Sequence, residues 1–423
     1  MGVPKHLNKI IVAGGNTLEG KITVSGAKNA VLPIIAASLL TPEPVRIDDV
    51  PELLDVDVMC QVIGAFGASI RREGSQLYIS TPEITSVEAP HDLVSKMRAS
   101  IVTMGPLLAR TGRVRISHPG GCAIGSRPIN WHLKGLEALG AEVHMDHGYL
   151  DVKASALKGA RIYLDFPSVG ATENIMMAAA VAEGTTLIEN AAQEPEIIDL
   201  ANFINQMGGK IRGAGTSVIR IEGVKEFSGV NHTVIPDRIE AGSFLLMAAA
   251  TGGDVFVQNV IANHLQPLLA KMEESGVHFR EEDDGIRVLS DGIYQAVDVK
   301  TQVHPGFPTD LQAPFLAFLT RGKGTGVVTE TVFENRFMHV DELKRMGADI
   351  KIEGRSAIVQ GVPRLTGAPV TATDLRAGAA LILAGLTAEG ETEISGVHHI
   401  DRGYEFIVEK LSRIGAEIRR KSD

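Results

Sequence analysis

The sequence predicts an α/β protein built from six copies of one unit of about 70 residues, grouped three and three into two domains. Three observations carry that expectation. A short phrase that closes a helical pattern recurs at Gly67 (AFGASI), Gly140 (ALGAEV), Gly208 (QMGGKI), Gly276 (ESGVHF), Gly347 (RMGADI) and Gly415 (RIGAEI), at spacings of 73, 68, 68, 71 and 68 residues. Each unit also carries a segment rich in small and apolar residues, among them GAKNAVLPIIAASLL, RIEAGSFLLMAAATGG and DLRAGAALILAGLTAEG. A helix that is apolar on most faces has to be buried on most faces. Finally, 423 residues exceed what a single core usually organises, which favours two domains.

Within a unit the order is strand, buried helix, strand, second helix and β-hairpin. The recurring glycine sits where a helix ends in a left-handed C-cap. The stretches after it, such as AEVHMDHGYLDVKA and ADIKIEGRSAIVQG, alternate about a turn as hairpins do. Such repetition guides a fold assignment better than any single propensity. The sixth unit stops at AEIRRKSD, one strand short, while the chain opens with a spare strand-like KIIVAGG. The N-terminus is therefore expected to complete the last unit. That places residues 1–26 and 236–423 in one domain and 27–235 in the other, with crossings near Gly26 and Pro236. A cleft between domains is the expected ligand site.

The composition bounds the function. A hydrophobic share of 44%, a charged share of 22% and a net charge of -10 describe an ordinary globular protein and argue against general nucleic-acid binding. Local clusters of Arg and Lys can still hold small anions. Two cysteines, Cys60 and Cys122, make no disulfide framework, and MGVPKHLNKI lacks the apolar run of a signal peptide, so a cytoplasmic protein is expected. The longest apolar runs fall short of a membrane span, and no CxxC or HExxH spacing suggests a metal. GGCAIG is not a dinucleotide fingerprint, because no GxGxxG follows a strand with an acidic residue about 20 positions on.

Candidate site residues are those that break the pattern of the repeats. Cys122 lies in HPGGCAIGSR, among glycines and beside the fixed cation Arg127, and loops of this kind carry function more often than cores do. Cys60, within the helical pattern VDVMCQVIGAFG, reads as core. Lys28 and Asn29 open the first buried helix, where a lysine at a helix N-terminus is suited to an anion. Arg98 (KMRAS), Asp310 (FPTDLQ), and Asp374 with Arg376 (TDLRAG) occupy the corresponding place in other units. Asp237 and Arg238 open the fourth unit and read as a cap and a bridge. His398 and His399 are expected to be structural, packing near Arg402.

These residues stand in ten ordered motifs: SGAKNAVLP, MRAS, PGGCAIGSRP, SVGATENI, ENAAQEPEI, PDRIEAG, HPGFPTDLQ, ETVFENRFMH, ATDLRAGAA and HIDRGYE. By them the whole chain resembles the UDP-N-acetylglucosamine 1-carboxyvinyltransferases of the enolpyruvyl transferase family. The resemblance implies two inside-out α/β barrel domains of three repeats each, with the active site in the interdomain cleft. It also implies transfer of enolpyruvate from phosphoenolpyruvate to the sugar 3-hydroxyl of UDP-N-acetylglucosamine, with release of phosphate and no cofactor. This is an early cytoplasmic step of peptidoglycan precursor synthesis, and so of cell-wall growth and division.

In that scheme Cys122 is the acid and can bond covalently to the central carbon of phosphoenolpyruvate, while Asp310 accepts from or positions the sugar hydroxyl. Lys28, Asn29, Arg127 and Arg402 hold the phosphate and carboxylate, for which guanidinium geometry is suited. Arg98, the run Arg127, Pro128, Ile129, Asn130 and Trp131, then Ser168, Val169, Gly170 and Val332 bind the nucleotide sugar. Arg336, Asp374 and Arg376 support the cleft. Two departures from relatives stand out: Phe166 in place of a lysine and Asn130 in place of an aspartate. The alternatives are the sister transferase acting on shikimate 3-phosphate, which lacks the Cys-bearing loop, and a non-catalytic paralogue that binds a nucleotide sugar and has no use for an acid and a base.

Overall fold

The computed structural model describes residues 8–117, 125 and 128–422. These divide into two compact units, one containing residues 8–25 and 236–422, the other residues 26–117 and 128–235.

Each unit is organised around apolar helices. In the second unit these are α1 (Lys28–Ala37), α2 (Met104–Thr111) and α3 (Val169–Ala179). In the first they are α4 (Arg238–Thr251), α5 (Gln312–Leu319) and α6 (Leu375–Thr387). Every residue of α5 is buried, as is every residue of α4 from Arg238 to Ala250 and of α6 from Arg376 to Leu386. Helices with no polar face cannot line a surface, so strands must cover them. The strands are suited to it: Asp254–Gln258 and Thr185–Glu189 bury alternate residues and leave the others half-exposed, the period-two signature of a one-sided sheet.

The sheets repeat one pairing scheme. In the first unit, Asp254–Gln258 pairs parallel with Glu19–Thr23 on one side and antiparallel with Gly285–Leu289 on the other. Thr325–Thr329 does the same with Val299–Lys300 and Ser356–Gln360. In the second unit, Val45–Asp48 pairs parallel with Val230–Thr233 and antiparallel with Gln76–Ser80. The segments leading to the boundaries at 25/26 and 235/236 therefore each complete a sheet of the unit that the chain is about to leave. A further sheet of the first unit has Asn8–Ala13 between Glu391–Ser395 and Glu417–Ser422, antiparallel to both, with Ile10 opposite Ile394 and Arg420. The N-terminal strand thus stands where the sixth hairpin lacks its second strand.

The six recurring glycines end helices as the repeat implies. Gly67, Gly140, Gly208, Gly276, Gly347 and Gly415 all have φ between 82° and 108°, a region that a side chain disfavours. No helix among the described residues is long and apolar enough to cross a membrane. Because Ile10 is fully buried between two partner strands, Ile10→Ala should cost about 2 to 5 kcal/mol and lower the melting midpoint. Lys421→Ala, on the neighbouring strand with its side chain 54% exposed against Glu393, should change stability by less than about 1 kcal/mol. Thermal melts of the two variants check this.

Candidate active site

In the first unit the site is built around Asp310. The segment FPTDLQ forms a short turn, Thr309–Leu311, that leads into α5, so the carboxylate projects at the start of a buried helix. Two guanidinium groups from distant segments meet it there. Arg336 donates to Oδ1 at 2.7 Å and also to Thr309 Oγ1 at 2.7 Å. Arg376 donates to Oδ2 through Nε at 3.2 Å and Nη2 at 2.9 Å. Both arginine side chains are about 5% exposed or less, whereas that of Asp310 keeps 24% of its surface open. Burial by itself would raise the carboxyl, but Arg376 and Arg336, by charge and hydrogen bond, hold it well below the usual carboxylate range. Asp310 is therefore a permanent anion with an open side, strong as a fixed hydrogen-bond acceptor and weak as a free base.

Supporting residues surround this clamp. Asp374 caps α6, accepting from the backbone N–H of Arg376 at 2.8 Å and of Ala377 at 3.1 Å, which aims Arg376 from the first turn. The Arg376 guanidinium lies 5.4 Å from the centroid of the buried Tyr404 ring, whose hydroxyl is 2.9 Å from Ser243 Oγ. Glu330, only 1% exposed, accepts from the hydroxyls of Thr301 and Thr309 at 2.8 Å and from the N–H groups of Val332 at 2.8 Å and Phe333 at 3.0 Å. It ties the loop carrying Val332 and Arg336 to the turn carrying Asp310. His339 is buried beside Arg336 and Asp374. Burial and Arg336, opposed by Asp374, push it down to about 4, so it is neutral at working pH.

In the second unit Lys28 begins α1, but it is neither solvated nor a lone cation. Its ammonium lies 2.8 Å from Asp55 Oδ2, with the side chains 11% and 4% exposed. Asp55 belongs to the first turn of the helix Leu54–Ala65. Asn29 is half-buried beside Lys28, and Arg98 opens a short turn, Arg98–Thr103. Burial and the charge of Arg98 push His132 down to about 4. The neutral ring sits 2.8 Å from Asn174 Nδ2, which also donates to Ile101 O at 2.9 Å, while Asn174 Oδ1 accepts from Gly105 N–H at 2.7 Å. A donating amide makes Nδ1 of His132 the acceptor and puts its proton on Nε2. The same ring fills the place of a side chain at Gly170, where a Cβ would lie 3.1 Å from Cε1.

The segments expected to hold the nucleotide sugar differ in their exposure. Pro128 and Asn130 are exposed, and Trp131 is half-buried and stacked on Phe166, with centroids 5.4 Å apart and planes 23° apart. Ile129 is 4% exposed and belongs to the core, so it can offer a ligand only its main chain. Ser168 caps α3, and Val169 and Gly170 form its first turn. Asp237 caps α4 through the N–H groups of Ile239 and Glu240, the structural role its sequence context suggests. Arg402 lies half-buried in the turn before a C-terminal helix. Cys122 and Arg127 lie outside the described residues.

Sequence reasoning missed Asp55, Glu330, His132 and Asn174. Asp55 and Glu330 had a visible signal, an acidic residue inside an otherwise apolar phrase. His132 and Asn174 had none, because their roles depend on helices that meet only in the fold. Among the described residues no group of three or more His, Cys, Asp or Glu could hold a metal ion.

A family model described as EPSP synthase (3-phosphoshikimate 1-carboxyvinyltransferase) matches residues 12–411. The chain belongs to this family. Within it, the chain is 60% identical over 419 residues to UDP-N-acetylglucosamine 1-carboxyvinyltransferase 2 of Carboxydothermus hydrogenoformans, covering 99% of this chain and 100% of that one. It is 58% identical over 414 residues to UDP-N-acetylglucosamine 1-carboxyvinyltransferase of Halothermothrix orenii, covering 98% and 100%. Among solved structures, the enolpyruvyl transferase NikO from Streptomyces tendae superposes with a TM-score of 0.89 at 25% identity, over 99% of this chain and 100% of that one. EPSP synthase from Acinetobacter baumannii has the same fold, with a TM-score of 0.75 at 18% identity over 98% and 100%. The α/β fold of the enolpyruvyl transferases, implied by the resemblance, is the fold of this chain.

Family membership does not make every thiol reactive. Cys60 is half-buried in its helix, and burial with the nearby Asp57, opposed by Arg72, pushes its thiol up to about 12. Since the thiolate is the nucleophile, Cys60 should stay unlabelled by iodoacetamide at pH 7.5 in the native protein and react only after denaturation, as peptide mass analysis would show.

Proposed function

We propose that the chain transfers enolpyruvate from phosphoenolpyruvate to the 3-hydroxyl of UDP-N-acetylglucosamine and releases phosphate, the first committed step of peptidoglycan precursor synthesis. The observation that carries the reading is 58% to 60% identity, over nearly the whole chain, to relatives named for that sugar nucleotide. It favours this acceptor over shikimate 3-phosphate. The substrates place the work in the cytoplasm.

The reaction needs a proton delivered to the vinyl methylene and an acceptor at the sugar hydroxyl, because the central carbon becomes electron-poor before oxygen attacks it. Cys122 supplies the proton and can hold the central carbon covalently. Asp310, ionised and fixed by two arginines, accepts a hydrogen bond from the 3-hydroxyl and orients the attacking lone pair. Its low basicity makes it take the proton only as the new C–O bond forms. Elimination then returns a proton from the methyl group and expels phosphate, which restores the vinyl group on the sugar. Lys28, Asn29, Arg127 and Arg402 hold the phosphate and carboxylate of phosphoenolpyruvate. Arg98, Arg127, Pro128, Ile129 through its main chain, Asn130, Trp131, Ser168, Val169, Gly170 and Val332 hold the nucleotide sugar. Arg336, Arg376 and Asp374 keep Asp310 in place.

Phosphate release should require phosphoenolpyruvate and UDP-N-acetylglucosamine together. Release with shikimate 3-phosphate instead would assign the sister reaction, and release with neither would overturn the enzyme reading. Cys122→Ala should lose nearly all turnover, and the epoxide fosfomycin, a mimic of phosphoenolpyruvate, should add one mass equivalent at Cys122 in the wild type.

The two carboxylate-linked roles separate kinetically. Asp310→Ala should bind both substrates nearly as well as the wild type while its maximal rate falls about 10²-fold or more, the scale of general acid–base catalysis. Arg402→Ala should instead weaken phosphoenolpyruvate. An Asp310 variant with raised KM and unchanged kcat would make Asp310 a binding residue only.

A further inference from the structure

One buried ionic cluster in the first unit has no part in the chemistry above. Glu240, on α4 and 2% exposed, accepts from the backbone N–H of Ser25 at 2.7 Å and from the ammonium of Lys410 at 2.6 Å. Lys410 also reaches Ser25 Oγ at 2.6 Å and lies 4.0 Å from the Glu405 carboxylate, to which Ser25 Oγ donates a short hydrogen bond. Ser25 is the last residue before the chain leaves this unit, and its carbonyl accepts from Asp237 N–H at 2.9 Å, just past the return. Lys410 belongs to α7 (Ile407–Arg413).

A second observation concerns the backbone between Arg402 and Lys410. Phe406, which precedes α7, has φ 48° and ψ 38° and leaves 48% of its surface exposed. A bulky aromatic residue in the left-handed region is strained, and such strain persists only where the surroundings over-determine it. The surroundings here are specific. Tyr404 is tied to Ser243, Asp401 pairs with Arg420 at 2.5 Å, and Glu405 and Lys410 both converge on Ser25 from either side of Phe406. The turn holding Arg402 is thus pinned at each end.

We infer that Lys410 is a positioning residue for Arg402: bridging Ser25, Glu240 and Glu405, it holds the strained 401–406 turn in the one path that presents the Arg402 guanidinium to phosphoenolpyruvate. The inference rests on the functional reading above. Without the bridge, relief of the Phe406 strain swings the turn and displaces Arg402, while Asp310 keeps its place at the entry to α5 through Arg376 of α6 and through Arg336, whose loop Glu330 ties to the Asp310 turn.

The cluster carries its own pH signature. The charged groups facing Glu240 are Lys410 from α7, Glu405 from the turn before it and Asp237 from the cap of α4. Burial, with Asp237 adding, pushes Glu240 up to about 7 against Lys410 and the Ser25 N–H. Above that pH the carboxylate is ionised and holds Lys410; as pH falls through it, Glu240 takes a proton and the bridge loosens.

The test is steady-state kinetics from pH 6 to 8.5. Lys410→Met should raise KM for phosphoenolpyruvate about 10-fold and leave KM for UDP-N-acetylglucosamine within about 2-fold, with Lys410→Arg restoring much of the loss, since a displaced group costs binding where it acts. Glu240→Gln keeps the packing and serves should Lys410→Met fail to fold. Its deficit in kcat/KM for phosphoenolpyruvate should be about 10-fold at pH 8.5 and shrink towards the wild type at pH 6, where wild-type Glu240 is itself neutral. Equal losses for both substrates, or a Glu240→Gln deficit constant across the pH range, would overturn the positioning role. A wild type that turns over neither acceptor would overturn the functional reading, and this inference with it.

Discussion

Everything in this protein follows from helices that have no polar face. α4, α5 and α6 are buried on all sides, and removing that much apolar surface from water is the dominant favourable term in folding. A helix with no wet side must be enclosed, and one-sided sheets are the elements able to enclose it. Strands with alternating burial supply those sheets, and each unit settles with helices inside and strands outside.

That arrangement makes the helix starts chemically valuable. A buried helix still has unsatisfied N–H groups at its first turn, and the segment entering it must pass from surface to core. Asp374 and Asp237 meet the need as caps. Lys28 and Asp310 use the same position differently, presenting charge at the edge of the core, where water is scarce but not absent. Charges there must be paired or pay heavily in desolvation. Lys28 has Asp55, and Asp310 has Arg336 and Arg376.

The pairing also decides what those groups can do. Two guanidinium partners suppress the basicity of Asp310 while leaving its open side to accept a hydrogen bond. The resemblance left Asp310 either to take the proton of the sugar hydroxyl or to position it. In the proposed reaction its surroundings favour orientation and electrostatic support over proton transfer, because a carboxylate stabilised as an anion by two guanidinium groups is costly to protonate.

Much of this was legible in the amino-acid order. The even spacing of six glycines required six units and left-handed helix ends, since a backbone conformation that only glycine adopts readily leaves its mark directly in the sequence. The unmatched strand at the N-terminus and the truncated last hairpin pointed to each other for the same local reason. Lys28, Asp310, Asp374 and Arg376 were visible because charge interrupts an apolar run. Which groups meet was not: Asp55 reaches Lys28 and Arg336 reaches Asp310 across tens of residues, Asn174 meets His132 from another helix, and Lys410 meets Ser25 from the opposite end of the chain. The sequence by itself determined where charge would be buried. Only the tertiary structure decided what neutralises it, because the cost of a buried charge is met through space, by whichever groups the packing of helices and sheets brings within a few ångströms.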